Sequence, residues 1–173
     1  MSAYTALSEE CTATEDAEII RQILTSGCSR GSAFYTDGIH VNTLGVQALA
    51  PSLDRLAQHF NADAVISDSC LCAHDENSVD RHGALLQNIV GVPVFPVRGA
   101  RFLGYGFKDG MVKAWRQVQP LRVVVIVTAG NDLKRGADGE KIRTAVRRMR
   151  DYWAADGTRL VFVDVVPPRW QAF

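Results

Sequence analysis

Long hydrophobic runs and an excess of charge of either sign are both lacking from this sequence. The chain has 19 basic and 19 acidic residues, so no net charge attracts nucleic acid or an anionic membrane. No apolar stretch approaches a membrane span, and residues 1–18 lack the basic segment and apolar core of a secretory signal. We expect a cytoplasmic protein that has neither a membrane nor a nucleic acid as a partner.

Paired-cysteine spacing is also lacking. The four cysteines form no disulfide framework, and Cys70 and Cys72 are too close together for a CxxC motif. Unpaired, reduced thiols fit the cytosol. The acidic and histidine residues at 74–76 and at His82 lack the spacing of a closed ligand set, so we predict no metal and no cofactor.

With 173 residues, 47% of them hydrophobic, the chain has the size and composition of one globular domain. Residues 1–14 are small, polar and aperiodic and predict a flexible tail, followed by a single domain over 15–173. The first helix is expected from Thr14 or Glu15 to a stop at Gly27.

The rest of the chain alternates apolar runs with helical patterns. Four continuous β-branched runs predict strands that are buried on both faces, namely "ADAVISDS", "VPVFPV", "RVVVIVTAG" and "RLVFVDVV". A second helix begins at Asn42 or Thr43, and further helices are expected near 77–90, 107–119 and 138–155. This alternation predicts an α/β fold, a three-layer α/β/α sandwich with a parallel flavodoxin-like sheet. The inner face of the second helix is predicted to comprise Leu44, Ala48, Leu49, Leu53, Leu56, Ala57 and Phe60.

Polar residues stand where the apolar runs stop, which is where such sheets bind ligands. Ser69 follows the first run, and "YTDGIHVNTLGVQAL" carries Asp37 and His40 ahead of a helix. A serine hydroxyl needs an adjacent base that a third group orients, and a tight loop lets Asp37 reach the Nδ1–H of His40. We predict a catalytic triad of Ser69, His40 and Asp37. Taken singly, each residue also fits a turn or a helix cap.

Charge that develops on a substrate oxygen needs donors aimed at it in advance. Gly99 follows the second run and offers a backbone N–H, and Asn131 follows the third and offers a side-chain amide. With the N–H of Ser69 they predict a three-donor oxyanion hole. For Asp68 we expect a structural role, as an acceptor of backbone N–H bonds.

Together these residues resemble the SGNH/GDSL hydrolases, whose Gly-Asp-Ser block holds the nucleophile. "SDS" at 67–69 resembles that block, with Ser67 where the family has Gly, and "RGARF" and "AGND" resemble the blocks of the oxyanion Gly and Asn. "DGIHVNTLG" resembles the family's closing Asp-x-x-His block. The resemblance covers about residues 15–173 and implies a serine esterase that works through an acyl-enzyme.

The order of the blocks departs from the family, because the last block precedes the first. A circular permutation accounts for this order, since domain termini often lie close together and permutation is tolerated there. Two alternatives stay open: a slice of a tandem array, and a segment-swapped homodimer in which each chain completes the other's site.

The expected substrate is a small-molecule or acyl ester, with short acyl or acetyl groups favoured because the length leaves no room for a lid domain. Phe102, Leu103 and Tyr105, with Phe107, are candidate lining of an acyl pocket, and the alternative is that they belong to the core. A cysteine nucleophile at Cys70 or Cys72 is a rival for Ser69.

The main rival function is an inactive binding module of the same fold, because Ser67 in place of glycine could distort the nucleophile loop. The "VTAGNDL" and "PPR" strings also resemble esterase modules of retroelement proteins.

Overall fold

The computed structural model of the protein describes residues 11–12, 15–26, 43–68, 88–97, 99–128 and 130–165. These residues form an α/β fold with a parallel sheet that carries helices on both faces. The strands are β1 (Cys11–Thr12), β2 (Ala64–Asp68), β3 (Val94–Val97), β4 (Val123–Thr128) and β5 (Arg159–Asp164). The helices are α1 (Glu15–Ser26), α2 (Thr43–His59), α3 (Gly106–Gln117), α4 (Asn131–Lys134) and α5 (Gly139–Ala154).

The sheet has the strand order β1-β5-β4-β2-β3, and every neighbouring pair is parallel. The four predicted strands are therefore confirmed. Each contains at least two β-branched residues, and β2 and β4 are buried along nearly their whole length. Such continuous apolar runs are typical of parallel strands that are covered on both faces.

Two apolar clusters cover the two faces of the sheet. α1 and α2 pack on one face, where Ile20, Leu49 and Leu53 are fully buried. α3 and α5 pack on the other face, where Met111 and Val146 are fully buried. The side chains of β2 alternate between the two clusters, so this strand ties both layers together.

The helix α3 approaches the sheet closely at Gly110. A Cβ atom placed on this glycine would lie 2.9 Å from Cγ2 of Ile66 and 3.0 Å from Cγ2 of Val97. Both distances are well below the optimal carbon–carbon separation of about 3.5–4.0 Å. The missing side chain at Gly110 is what lets α3 rest against β2 and β3.

The predicted helices are confirmed where the structure describes them, with bounds that differ by one or two residues. α5 begins at Gly139 because the Asp138 carboxylate caps it, accepting the N–H of Glu140 at 2.6 Å and of Lys141 at 3.4 Å. α4, a single helical turn after β4, was not predicted. The helix expected near 77–90 lies mostly outside the described residues.

Two predictions need correction. Leu44 is not on the inner face of α2, because it is 54% exposed, whereas Val46 and Ala50 are buried in its place. Val46, Leu49 and Ala50 belong to the buried stripe, and the helical period of 3.6 residues turns Leu44 away from it. Within the range predicted as a tail, residues 11–12 are a strand that pairs with β5, since an edge strand can gain backbone hydrogen bonds without apolar periodicity.

None of the helices in the described ranges combines the length and the apolar character of a membrane span.

The close approach at Gly110 generates a stability prediction. We expect Gly110→Ala to lower the free energy of unfolding by about 1–3 kcal/mol, the usual cost of overpacking a filled core. Lys113→Ala, at an exposed position of the same helix, is the matched control and should change stability by less than about 0.5 kcal/mol. Urea unfolding measures both variants. A gain of about 1 kcal/mol, as alanine gives over glycine in an open helix, would contradict the close packing.

Candidate functional site

The carboxyl ends of β2, β3 and β4 lie at one edge of the sheet, which we call the carboxyl edge. The chain passes from β2 to β3 on one side of β2 and then crosses to β4 on the other side. The direction of winding therefore reverses between β2 and β4. In open parallel sheets, ligands bind in the crevice at such a reversal.

The Asn131 side chain connects three segments at the carboxyl edge. Asn131 is the first residue of α4, and its Nδ2 donates a hydrogen bond to Oδ2 of Asp68, the last residue of β2. The same nitrogen donates to the carbonyl oxygen of Ala100, just after β3, at 3.2 Å. Both protons of the amide are thus donated within the protein. The ends of β2, β3 and β4 are held together by this one side chain.

Asp68 is 2% exposed, and its carboxylate accepts the Asn131 amide. The structural role predicted for Asp68 was to accept backbone N–H bonds, whereas the donor observed here is a side-chain amide. A buried carboxylate is costly unless it is hydrogen-bonded, and the amide supplies part of that compensation. Asp68 therefore fixes the orientation of Asn131.

Gly99, the predicted oxyanion donor after β3, lies in a turn at the carboxyl edge. It is exposed and adopts a φ of 60°, in the left-handed region that favours glycine. The next residue, Ala100, accepts the Asn131 amide. The structure therefore brings Gly99 and Asn131 to the same part of the edge, and their role as oxyanion donors stays a prediction.

The Asp132 carboxylate clamps the loop between β3 and α3, a role that sequence reasoning missed. Its Oδ2 accepts the N–H of Phe102 at 2.9 Å, and its Oδ1 accepts the N–H of Leu103 at 3.1 Å. Asp132 is 1% exposed, so this is a buried contact between the end of β4 and the loop. Only an acidic residue beside Asn131 hinted at it, and that pattern fits a turn cap equally well.

The residues predicted to line an acyl pocket have different surroundings. Phe102 is buried in the α3–α5 cluster, with its ring 4.5 Å from that of Phe107 and 5.6 Å from that of Phe162. Leu103 is 42% exposed and Tyr105 is 77% exposed. Phe102 and Leu103 border a groove between α3 and α5, whereas Tyr105 is not among its lining residues. Their role in acyl binding stays a prediction.

The three predicted triad residues, Ser69, His40 and Asp37, lie outside the described residues, and so do Cys70 and Cys72. Their mutual geometry stays a prediction. Within the part of the chain that the structure describes, no three His, Cys, Asp or Glu side chains are grouped as metal ligands would be.

Comparison of the chain with protein-family models, with curated proteins and with solved structures gives no match.

The Asp132 clamp can be tested through stability and hydrogen exchange. Asp132→Ala leaves the N–H groups of Phe102 and Leu103 without their acceptor, so we expect a loss of about 2–4 kcal/mol in the free energy of unfolding. Amide exchange at these two residues should accelerate strongly. Asp156→Ala, which removes an exposed carboxylate, is the matched control. Unchanged exchange at both amides in Asp132→Ala would show that the clamp does not order the loop.

Proposed function

We propose that the protein is a serine esterase that hydrolyses carboxylic esters at the carboxyl edge, between β2 and β4. The nucleophile would be Ser69, the base His40 and the orienting residue Asp37. The oxyanion donors would be the N–H groups of Ser69 and Gly99 and the amide of Asn131. The observation that carries the proposal is the hydrogen bond from Asn131 to Asp68. It brings an amide donor to the residue that directly precedes Ser69 in the sequence.

The strand order supports a permuted fold of this type. Taken from its other edge, the sheet runs β3-β2-β4-β5-β1. If β1 is counted as the last strand instead of the first, this becomes 2-1-3-4-5, the flavodoxin-like order. An SGNH-type domain whose closing segment has moved to the front would give that result.

The proposed reaction has two halves. In the first, His40 takes the Ser69 proton, the Ser69 oxygen attacks the ester carbonyl, and the tetrahedral oxyanion forms. The ester C–O bond then breaks, and His40 gives its proton to the departing alkoxide. The alcohol is released, and the acyl group remains bound to Ser69 as an acyl-enzyme. In the second half, water attacks the acyl-enzyme with His40 as base, the bond to Ser69 breaks, and the proton returns to Ser69. The products are one alcohol and one carboxylic acid.

Asn131 has to exchange one hydrogen bond to act as an oxyanion donor. The N–H that donates to the Ala100 carbonyl would donate to the substrate oxygen instead. The other N–H of the amide would keep its hydrogen bond to Asp68. Hydrogen bonds to an ionised acceptor are about twice as strong as neutral ones, so the exchange becomes favourable as the charge develops. Asp68 would be a positioning residue that holds the amide during the exchange.

A second candidate function is a binding module of the same fold without turnover. The observation that favours it is that both Asn131 amide protons are already donated within the protein. The serine at position 67, where the resembled family has glycine, gives the binding module less support, because Ser67 is fully buried within β2. Its place in the register is opposite Pro96 and Val127, so the strand pairing accommodates it.

Covalent labelling separates these two functions. We expect a fluorophosphonate probe to label the folded protein, and Ser69→Ala to abolish both labelling and hydrolysis of p-nitrophenyl acetate. Cys70→Ala and Cys72→Ala should retain both, since a serine attacks the probe in this mechanism. No labelling of properly folded protein would overturn the esterase, and turnover that survives Ser69→Ala but not iodoacetamide would favour a cysteine nucleophile.

The control for chain arrangement mixes two inactive variants, Ser69→Ala and His40→Ala. Activity that returns on mixing favours the segment-swapped homodimer, in which one site draws on two chains. No recovery is expected if a single chain holds Ser69 and His40 of one site.

The oxyanion role of Asn131 generates a kinetic prediction. We expect Asn131→Ala to lower kcat by about 10²–10³ with little change in KM, because the donor acts mainly in the transition state. Asp68→Asn is the matched control, since its side-chain carbonyl can still accept the Asn131 amide, and it should retain more activity. Thermal unfolding of both variants checks the fold. A folded Asn131→Ala enzyme with normal kcat would remove Asn131 from the mechanism.

A further inference from the structure

A groove of about 560 Å³ lies between α3 and α5, on the outer side of the sheet. Its volume is within the range of small-molecule pockets, about 300–1,000 Å³. Phe102, Met149 and Trp153 are buried and form its floor, and Leu103, Val112 and Tyr152 are exposed along it. The groove thus exposes a concave apolar surface to solvent.

Two cations stand among these apolar side chains, Lys108 from α3 and Arg148 from α5. Among the described residues that line the groove, none is acidic. Elsewhere on α5, Arg143 pairs with Glu140 and Arg150 with Asp151. The described part of the chain contains no ion pair that engages Lys108 or Arg148, and the Lys108 ammonium lies 5.6 Å from the centre of the Tyr105 ring.

We infer that this groove binds an amphipathic carboxylate, an alkyl chain with a terminal carboxylate group. The chain would lie on Phe102, Met149 and Trp153, and the carboxylate would pair with Arg148 and Lys108. An arginine guanidinium matches a carboxylate with two parallel hydrogen bonds, and methionine adapts its shape to a flexible chain. The charge and the apolar floor together define the ligand class.

A docked amphipathic helix fits the groove less well. Helix-in-groove recognition needs a long apolar stripe that takes anchors at i, i+3, i+4 and i+7. Here the buried floor is only three side chains, flanked by two cations. A single alkyl chain with one negative end matches these dimensions.

The groove is separate from the carboxyl edge, since Asp68, Gly99 and Asn131 are not among its lining residues. It is nevertheless connected to that edge, because the N–H groups of Phe102 and Leu103 are held by Asp132, next to Asn131. The inference does not rest on the esterase proposal. It would hold equally for an inactive binding module.

Isothermal titration calorimetry of the full chain with decanoate, below its micelle concentration, tests this binding. Decan-1-ol and decyltrimethylammonium are the matched ligands, with the same chain and no negative charge. We expect saturable binding of one decanoate and roughly tenfold weaker binding of the other two ligands, because only decanoate pairs with the cations.

Two charge-reversal variants locate the site. Lys108→Glu/Arg148→Glu should weaken decanoate binding by about tenfold or more. Lys113→Glu/Arg116→Glu makes the same change in net charge at exposed α3 positions outside the groove and should leave binding unchanged. Val112→Trp should also weaken binding, by filling the groove. Circular dichroism checks that each variant is folded.

Several outcomes would overturn the inference. They are no saturable decanoate binding, equal binding of the cationic ligand, or an equal loss in the Lys113→Glu/Arg116→Glu control. Ser69→Ala should bind decanoate normally, and a loss there would mean that the titration reports the carboxyl edge instead. Binding of an acidic amphipathic peptide that Val112→Trp abolishes, without decanoate binding, would assign the groove to a protein partner.

Discussion

β2 and β4 lie side by side in parallel at the centre of the sheet, and their register determines most of what surrounds them. Ala64 pairs with Val124 and Ser67 pairs with Val127, so both strands end at the same level. Their backbone groups are satisfied by this pairing and by β3 and β5 on the outer sides. Because both strands are buried, polar side chains find solvent and partners only where the strands stop. The carboxyl edge is the result.

At the carboxyl edge, side-chain hydrogen bonds hold neighbouring segments of the chain in fixed positions. Asn131 joins Asp68 to Ala100, and Asp132 holds the N–H groups of Phe102 and Leu103. Buried carboxylates are unfavourable unless they are paired, so each of the two aspartates requires its donors to stay in place. The loop after β3 is therefore fixed by residues at the ends of β2 and β4. In the proposed esterase only the bond from Asn131 to Ala100 would have to be exchanged, so most of the donor geometry would be fixed before the reaction.

Much of the fold could be predicted from the sequence. Parallel strands that are buried on both faces have continuous apolar, β-branched sequences, and such runs are easy to recognise. Features fixed by tertiary contacts could not be predicted. β1 has two residues and depends on the exposed edge of β5, and the burial of Val46 in place of Leu44 depends on how α2 sits on the sheet. At the site, the positions of Gly99 and Asn131 after strands of one parallel sheet indicate that both lie at the carboxyl edge, and their role as oxyanion donors stays a prediction. The Asp132 clamp could not be recognised in the sequence. Its two carboxylate oxygens accept backbone N–H groups about thirty residues away, and every residue type except proline has such a group.

The loop from Gly99 to Tyr105 contributes to two surfaces, the carboxyl edge and the groove between α3 and α5. One end supplies the Ala100 carbonyl to Asn131, and the middle supplies Phe102 to the core and Leu103 to the groove between α3 and α5. Phe102 is anchored from both directions, by the Asp132 carboxylate on its N–H and by Phe107 and Phe162 on its ring. A ligand that presses on the groove floor at Phe102 would therefore act on a backbone that Asp132 connects to α4. Asn131 precedes Asp132 in the same helical turn. The groove floor at Phe102 and the Asn131 amide are therefore connected through the Asp132 carboxylate.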